Sequence, residues 1–235
     1  MSAKEILAEL KKLGSESYKK TIMTHGAKEP CFGVKIEDLK KIQKRVKRDY
    51  QLALDLYDSG NYDAMYLAGL IADDTAMSKK DLERWVKGAY CAMLGEYTVP
   101  WVASESLHGI EVARKWIESK TPSIAASGWA TFSSLVMTKD DRDLDLTELS
   151  AFLNRVAETI HGQPNRVRYV MNSFVIAVGS GVAALTAHAL KVAAAIGQVS
   201  VDMNGTACKV PYAPEYLQKV AARGAIGKKR KSPKC

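Results

Sequence analysis

Apolar side chains recur along this chain at intervals of three and four residues. In residues 35–48, Ile36, Leu39, Ile42 and Val46 fall on one helical stripe, while Lys40, Lys41, Lys44, Arg45, Lys47 and Arg48 fall mostly off it. Folding such a segment hides its apolar side and leaves a dense cationic face in water. The same period predicts helices over residues 4–13, 18–23, 50–57 and 62–72, with a stop at Gly14 and a loop over 26–33. Ser78-Lys79-Lys80-Asp81 has the pattern of a capping box and opens a helix that runs to Gly88. Thr121-Pro122 sets a cap and a first-turn proline before 124–137, and Asp145 with Glu148 opens 149–160. Pro164 precedes a helix over 166–178, Gly197 ends one over 182–196, and Pro214 opens the last, 215–222. Residues 198–212, with Asn204-Gly205, form the longest non-helical stretch and suit a turn or short hairpin.

Many helices of modest length joined by short connections make antiparallel neighbours the simplest arrangement. Helix pairs recur roughly every 40 residues, the spacing of HEAT-like arrays. The expected fold is therefore all-α, a HEAT-like helical-repeat solenoid (α-α superhelix) of antiparallel helix pairs, with a compact bundle as the alternative. No composition break marks a linker, so residues 1–223 read as one helical domain and 224–235 as a basic, flexible tail. The apolar run over 174–199 holds one charged side chain, Lys191, but Gly179-Ser180-Gly181 reads as a break into halves too short to span a bilayer.

Composition, 47% hydrophobic and 26% charged, is that of a folded protein. The net charge of +8 is partly a tail property, because residues 224–235 carry five Lys and Arg and no acid. The face on 35–48 therefore says more about a partner, and its density suits a polyanion. The alternative is a lysine surface that serves solubility alone. Cys31, Cys91, Cys208 and Cys235 are scattered without a C-x-x-C pair, which points to reduced thiols in the cytoplasm rather than a disulfide framework or zinc site. The N-terminus has no apolar core of a signal peptide. Asp73-Asp74 reads as a solvated acidic pair. Trp85, Trp116 and Trp129 read as core, and the four histidines suggest no triad.

Three segments carry a resemblance: Phe32-Gly33-Val34-Lys35-Ile36-Glu37-Asp38-Leu39-Lys40-Lys41-Ile42, then Leu56-Tyr57-Asp58-Ser59-Gly60, then a helix ending Ile71-Ala72-Asp73-Asp74. Together they resemble the DNA alkylation repair family, HEAT-like proteins that include alkylpurine DNA glycosylases of the AlkD type. The similarity extends through Lys115-Trp116-Ile117-Glu118-Ser119 and Gly128-Trp129-Ala130-Thr131. The resemblance implies duplex DNA held by a basic concave surface; separately, no cofactor and no metal are expected, and the protein is expected to be a monomer. The resemblance also implies excision of purines made cationic at N3 or N7. Such a base leaves readily, so a carboxylate and aromatic faces need only stabilise the sugar cation.

The family places an Asp four residues after a Trp. The nearest match here is Trp101 with Glu105, one helical turn apart, with His108 expected to continue that face. The longer glutamate arm shifts the carboxylate by about 1.5 Å. A family Arg two residues after a Trp is replaced by Thr131, and no Trp follows Trp129 to carry the family's last Trp–Arg pair. Arg166 and Arg168 are the nearby cations. The resemblance thus implies Glu105 and Trp101 as catalytic candidates, and Lys40, Lys41, Lys44, Arg45, Lys47, Arg48, Arg166 and Arg168 as the DNA-contacting set. The chain reads as either a divergent glycosylase or a catalytically silent relative, with a non-catalytic scaffold for protein or nucleic acid as the alternative.

Overall fold

The computed structural model describes residues 1–234; Cys235 lies outside the described residues. Those residues form thirteen α-helices and no β-strand. They group into two compact units, one comprising Met1–Val112 with Lys234, the other Ala113–Pro233.

The first unit contains α1 (Ala3–Leu13), α2 (Glu16–Thr24), α3 (Ile36–Val46), α4 (Tyr50–Asp58), α5 (Tyr62–Ile71), α6 (Lys79–Gly88) and α7 (Val99–Glu105). Capping sets most of their starts. Ser2, Ser15, Asp49, Asn61 and Ser78 each accept a backbone N–H from the first turn, and Ser2 and Ser78 complete capping boxes with Glu5 and Asp81. Helix α5 is buried along its whole length and packs on α1, α3, α4 and α7, so it is the axis of the unit. Tyr57 stacks on Trp85 at 4.1 Å and donates its hydroxyl to the Trp85 carbonyl, tying α4 to α6.

A buried carboxylate fixes the approach to the basic helix. Asp63, on the first turn of α5 and wholly buried, accepts N–H bonds from Phe32 (2.6 Å), Gly33 (3.2 Å) and Val34 (2.8 Å). Three donors balance the cost of burying its charge. Gly33 has φ +75, and a Cβ there would lie 2.5 Å from the Ser15 carbonyl, so only glycine fits. The Phe32-Gly33-Val34 motif is thus a structural clamp that delivers the chain into α3.

The second unit contains the end of α8 (Gly109–Ile117), then α9 (Pro122–Thr138), α10 (Leu146–Thr159), α11 (Asn165–Gly181), α12 (Thr186–Ile196) and α13 (Ala213–Ala222). Its core is aromatic. Trp129 meets Phe152 and Phe174 edge-on at 5.7 and 5.1 Å, and Phe132 meets Phe152 at 5.0 Å. His188 of α12 joins α10 through Ser150 (3.0 Å) and Asn154 (2.9 Å). Trp85, Trp116 and Trp129 are all fully buried, as their apolar stripes predict.

Three local expectations are corrected and one, for residues 198–212, is narrowed to its turn alternative. Gly179-Ser180-Gly181 does not break the helix: α11 continues through Gly181 and the chain bends at Val182. The glycines serve close packing, since a Cβ on Gly179 would sit 2.7 Å from Leu217 and one on Gly181 would sit 3.0 Å from the Val136 carbonyl. Continued helical hydrogen bonding outweighs the cost of about 1 kcal/mol per internal glycine. Residues 198–212 form a turn with left-handed Asn204 and Gly205, but no strand pairing. Asn165 and Asn172 hold that stretch through Asp202 and the Pro211 carbonyl. Third, Asp74 is buried rather than solvated, and its carboxylate lies 2.8 Å from the Lys234 ammonium. Fourth, His108 does not extend the Trp101 face, because α7 ends at Glu105 and Ser106 turns extended.

Residues 224–234, expected as a flexible tail, make specific contacts. The Gly227 N–H donates to the Ser180 carbonyl at 2.8 Å and the Arg230 N–H to the Met137 carbonyl at 2.7 Å. Lys229 reaches the Val136 carbonyl and Asp141, both at 2.7 Å. No single helix among the described residues is long and apolar enough to cross a membrane; α11 and the segment after it meet at 116°.

Candidate nucleic-acid interface

Helix α3 carries the cationic face. Leu39 and Ile42 are buried against α5, while Glu37 and Asp38 in its first turn and Lys44 and Arg45 in its last complement the helix dipole. Two of the six cations are engaged. Lys41 pairs with Asp38 at 2.8 Å, and Arg45 grips the Glu9 carboxylate of α1 with both guanidinium nitrogens. Each pair raises the pKa of its cation, chiefly through the side-chain hydrogen bond. Lys40, Lys44 and Lys47 form no salt bridge with any described carboxylate; Lys44 and Lys47 are exposed and Lys40 is half-buried.

The aromatic–acid pair sits on α7, which follows a π-helical turn over Leu94–Thr98. That turn packs close to α5: a Cβ on Gly69 would lie 2.5 Å from the Thr98 methyl group. Trp101 is only 3% exposed and is held edge-on by Tyr66 (5.6 Å) and Tyr97 (6.3 Å). Glu105 is the last residue of α7 and half-buried. Its charge acts on Asp74 of the short turn beside α7. Burial pushes the Asp74 carboxyl above its ordinary range; Glu105 adds to that rise, while Lys234 and Arg48 oppose it. The structure therefore brings together two carboxylates and two cations that are dispersed in sequence. Neither Asp74 nor Lys234 carries a local signal of this, since burial alone distinguishes Asp74 from Asp73.

In the second unit, Arg166 lies 4.4 Å over the Tyr169 ring and near the Met203 sulfur, and Arg168 bonds Asn165. Both arginines are half-buried at the start of α11, beside the segment that Asn165 anchors. Thr131 is fully buried and its hydroxyl donates to the Ser127 carbonyl of its own helix at 2.7 Å. The Trp129 face is instead covered by Arg155, 5.6 Å from the ring and paired with Glu118. Among the described residues, no cluster of three His, Cys, Asp or Glu is placed to hold a metal ion.

An all-helical chain with a lysine face on a clamped helix defines a helical-repeat protein equipped for a polyanion. The family model described as DNA alkylation repair enzyme matches residues 6–217, and the chain belongs to that family. Two curated relatives, each aligned over 221 residues, cover 92% of this chain and 95% of their own length. They are the uncharacterized protein Lin0241 of Listeria innocua, 32% identical, and the uncharacterized protein Lmo0209 of Listeria monocytogenes, 31% identical. A solved structure matches all of this chain over all of its own at 39% identity and a TM-score of 0.93. That protein is described as belonging to a new family related to the HEAT-like repeat DNA glycosylases with affinity for branched DNA structures. The fold class is accordingly HEAT-like and all-α, as the helix spacing predicts.

Proposed function

We propose that this protein binds DNA, favouring branched over plain duplexes. The contacts come from the cationic face of α3 in one unit and from Arg166 and Arg168 in the other. The observation that carries the reading is that Lys40, Lys44 and Lys47 form no salt bridge among the described residues, whereas Lys41 and Arg45 of the same face are paired. Unpaired surface lysines release counterions when they meet phosphates, which supplies sequence-independent affinity. The branched preference follows the solved relative, whose likeness covers the whole chain.

The test is fluorescence anisotropy with a labelled three-way junction and a duplex of equal length, over a range of salt. Junction binding should be tighter, and both affinities should fall steeply as salt rises. Lys40→Glu with Lys44→Glu should weaken both and lower the log–log salt slope by about 2, with little change in Tm. Unchanged affinity would remove α3 from the interface.

A second reading is base excision, favoured by Glu105 standing one helical turn from Trp101, with its charge acting on Asp74. In it, the Glu105 carboxylate stabilises the sugar cation as an alkylated purine departs. The burial of Trp101 weighs against that reading, because its ring is closed in by Tyr66 and Tyr97. Incubation with a duplex containing 7-methylguanine, followed by alkaline cleavage, decides it. Strand breaks that disappear in Glu105→Gln support excision, and intact strands with measurable binding leave a non-excising DNA binder.

A further inference from the structure

Three of the tyrosines are more than one-third exposed: Tyr97 (38%), Tyr212 (39%) and Tyr216 (44%). Tyr97 has its ring against Trp101. Elsewhere the rings are occupied: Tyr57 stacks on Trp85, Tyr169 lies under Arg166 and Tyr90 under Lys28. Tyr212 and Tyr216 differ. Neither ring meets another aromatic ring or a cation among the described residues, and both stand open to solvent at the start of α13.

Their backbone is rigid. Tyr212 caps α13, the Tyr216 N–H donates to the Tyr212 carbonyl at 3.0 Å, and the two are one helical turn apart. Ala213 and Leu217 pin the helix by burial, and Leu217 closes on Gly179. The Pro211 carbonyl before the pair accepts from the buried Asn172 amide. Two apolar rings are thus presented to water on a fixed support.

The charge around them is one-sided. Between residues 209 and 231 the only acid is Glu215, which pairs with Lys219 at 3.6 Å, against seven Lys and Arg; Lys209 and Arg223 are exposed and form no salt bridge among the described residues. A phenol ring costs free energy in water and gains it on the face of a base, and neighbouring cations hold the connecting phosphates. Paired duplex offers no free base face; unpaired nucleotides at a branch do.

We infer that Tyr212 and Tyr216 form a stacking platform for unpaired nucleotides, giving the second unit a single-strand subsite. This deepens the proposed DNA-binding reading and rests on it. The subsite is indifferent to sequence, because every base has a face to offer.

The experiment uses the full chain and three DNAs of equal length: a duplex, a fully paired three-way junction, and the same junction with two unpaired nucleotides at the branch, one of them 2-aminopurine. Wild type should bind the third tightest and quench the 2-aminopurine. Tyr212→Ala with Tyr216→Ala should lose roughly ten-fold in affinity for the third DNA alone and abolish the quench. Tyr212→Phe with Tyr216→Phe should keep both, since the ring rather than the hydroxyl stacks. Wild-type binding to duplex and paired junction with no gain from unpaired nucleotides would overturn the platform and leave the DNA-binding reading standing. An alanine pair that keeps the gain would do the same. Absence of binding to all three would overturn both.

Discussion

The two units solve the same problem, a stack of short helices, with different chemistry. Residues 1–112 are fastened by buried polar anchors: Asp63 on three backbone donors, Asn61 capping α5, and the Tyr57 hydroxyl on the Trp85 carbonyl. Residues 113–233 are fastened by an edge-to-face cluster of Trp129, Phe132, Phe152 and Phe174. Polar anchors fix direction as well as position, because a hydrogen bond tolerates little misalignment. An aromatic cluster fixes separation and leaves more freedom in angle. The directional device is found at the approach to α3, the helix that carries the lysine face.

The same contrast runs through the two tryptophan motifs. Trp101 leads along α7 to a half-buried carboxylate that acts on Asp74, whereas Trp129 leads to Thr131, sealed inside α9. Only the first has a carboxylate one helical turn on.

Removing the Asp63 carboxylate should break the comparison most severely. Asp63→Ala strands three backbone donors and should cost about 5 kcal/mol, with hydrogen exchange at residues 32–34 accelerating first. Loss of protection in the aromatic cluster ahead of that segment would contradict its role as a local clamp. In the other unit, Phe174→Ala should cost about 4 kcal/mol through the cavity it opens, measured by urea unfolding, while Phe174→Leu should cost clearly less. Thr131→Arg, which restores the residue type of the related glycosylases, should destabilise by about 3 kcal/mol, because the guanidinium has no buried partner. A folded Thr131→Arg protein with wild-type Tm and stronger DNA binding would show that α9 can turn this position outward.

Smaller effects come from titration within the first unit. Asp81 is partly buried, which works against its charge, but the Ser78 and Tyr50 hydroxyls outweigh that and lower its pKa below 3.8. Its contribution is present above that value and is lost as pH falls through the lowered one. Asp74 has the opposite sign. Burial raises its pKa above 3.8, so the stability it confers when protonated is lost as pH rises through the raised value. Urea midpoints between about pH 3 and 7 should show Asp74→Asn flattening the upper limb and Asp81→Asn the lower one. If Asp74→Asn steepens the upper limb, the Lys234 pair outweighs burial. Smallest of all, iodoacetamide at neutral pH should label Cys208 and leave stability unchanged. The thiol of Cys31, pushed up to about 12 by burial and then by Asp63, should react only on unfolding.

Helical periodicity and capping chemistry are local, so they were legible along the chain. The Ser78 capping box, the Pro122 start, the Gly197 stop and the stripe of α3 all stand where the spacing predicts. Their apolar stripes likewise marked Trp85, Trp116 and Trp129 as core. The family resemblance lay mainly in the segment that Asp63 clamps and the helix it enters.

What the sequence by itself determined is therefore the helix inventory, the apolar face of each helix and the surplus of positive charge. Tertiary structure decided which charges survive. Folding spent Lys41 on Asp38 and Arg45 on Glu9 while leaving Lys40, Lys44 and Lys47 without salt bridges among the described residues. It buried Asp74 beside half-solvated Asp73, enclosed Trp101, ran α11 through its glycines and left Tyr212 and Tyr216 open. The physical reason is range. Helix propensity and capping act within four residues, whereas desolvation and ion pairing depend on which distant segments arrive at the same place.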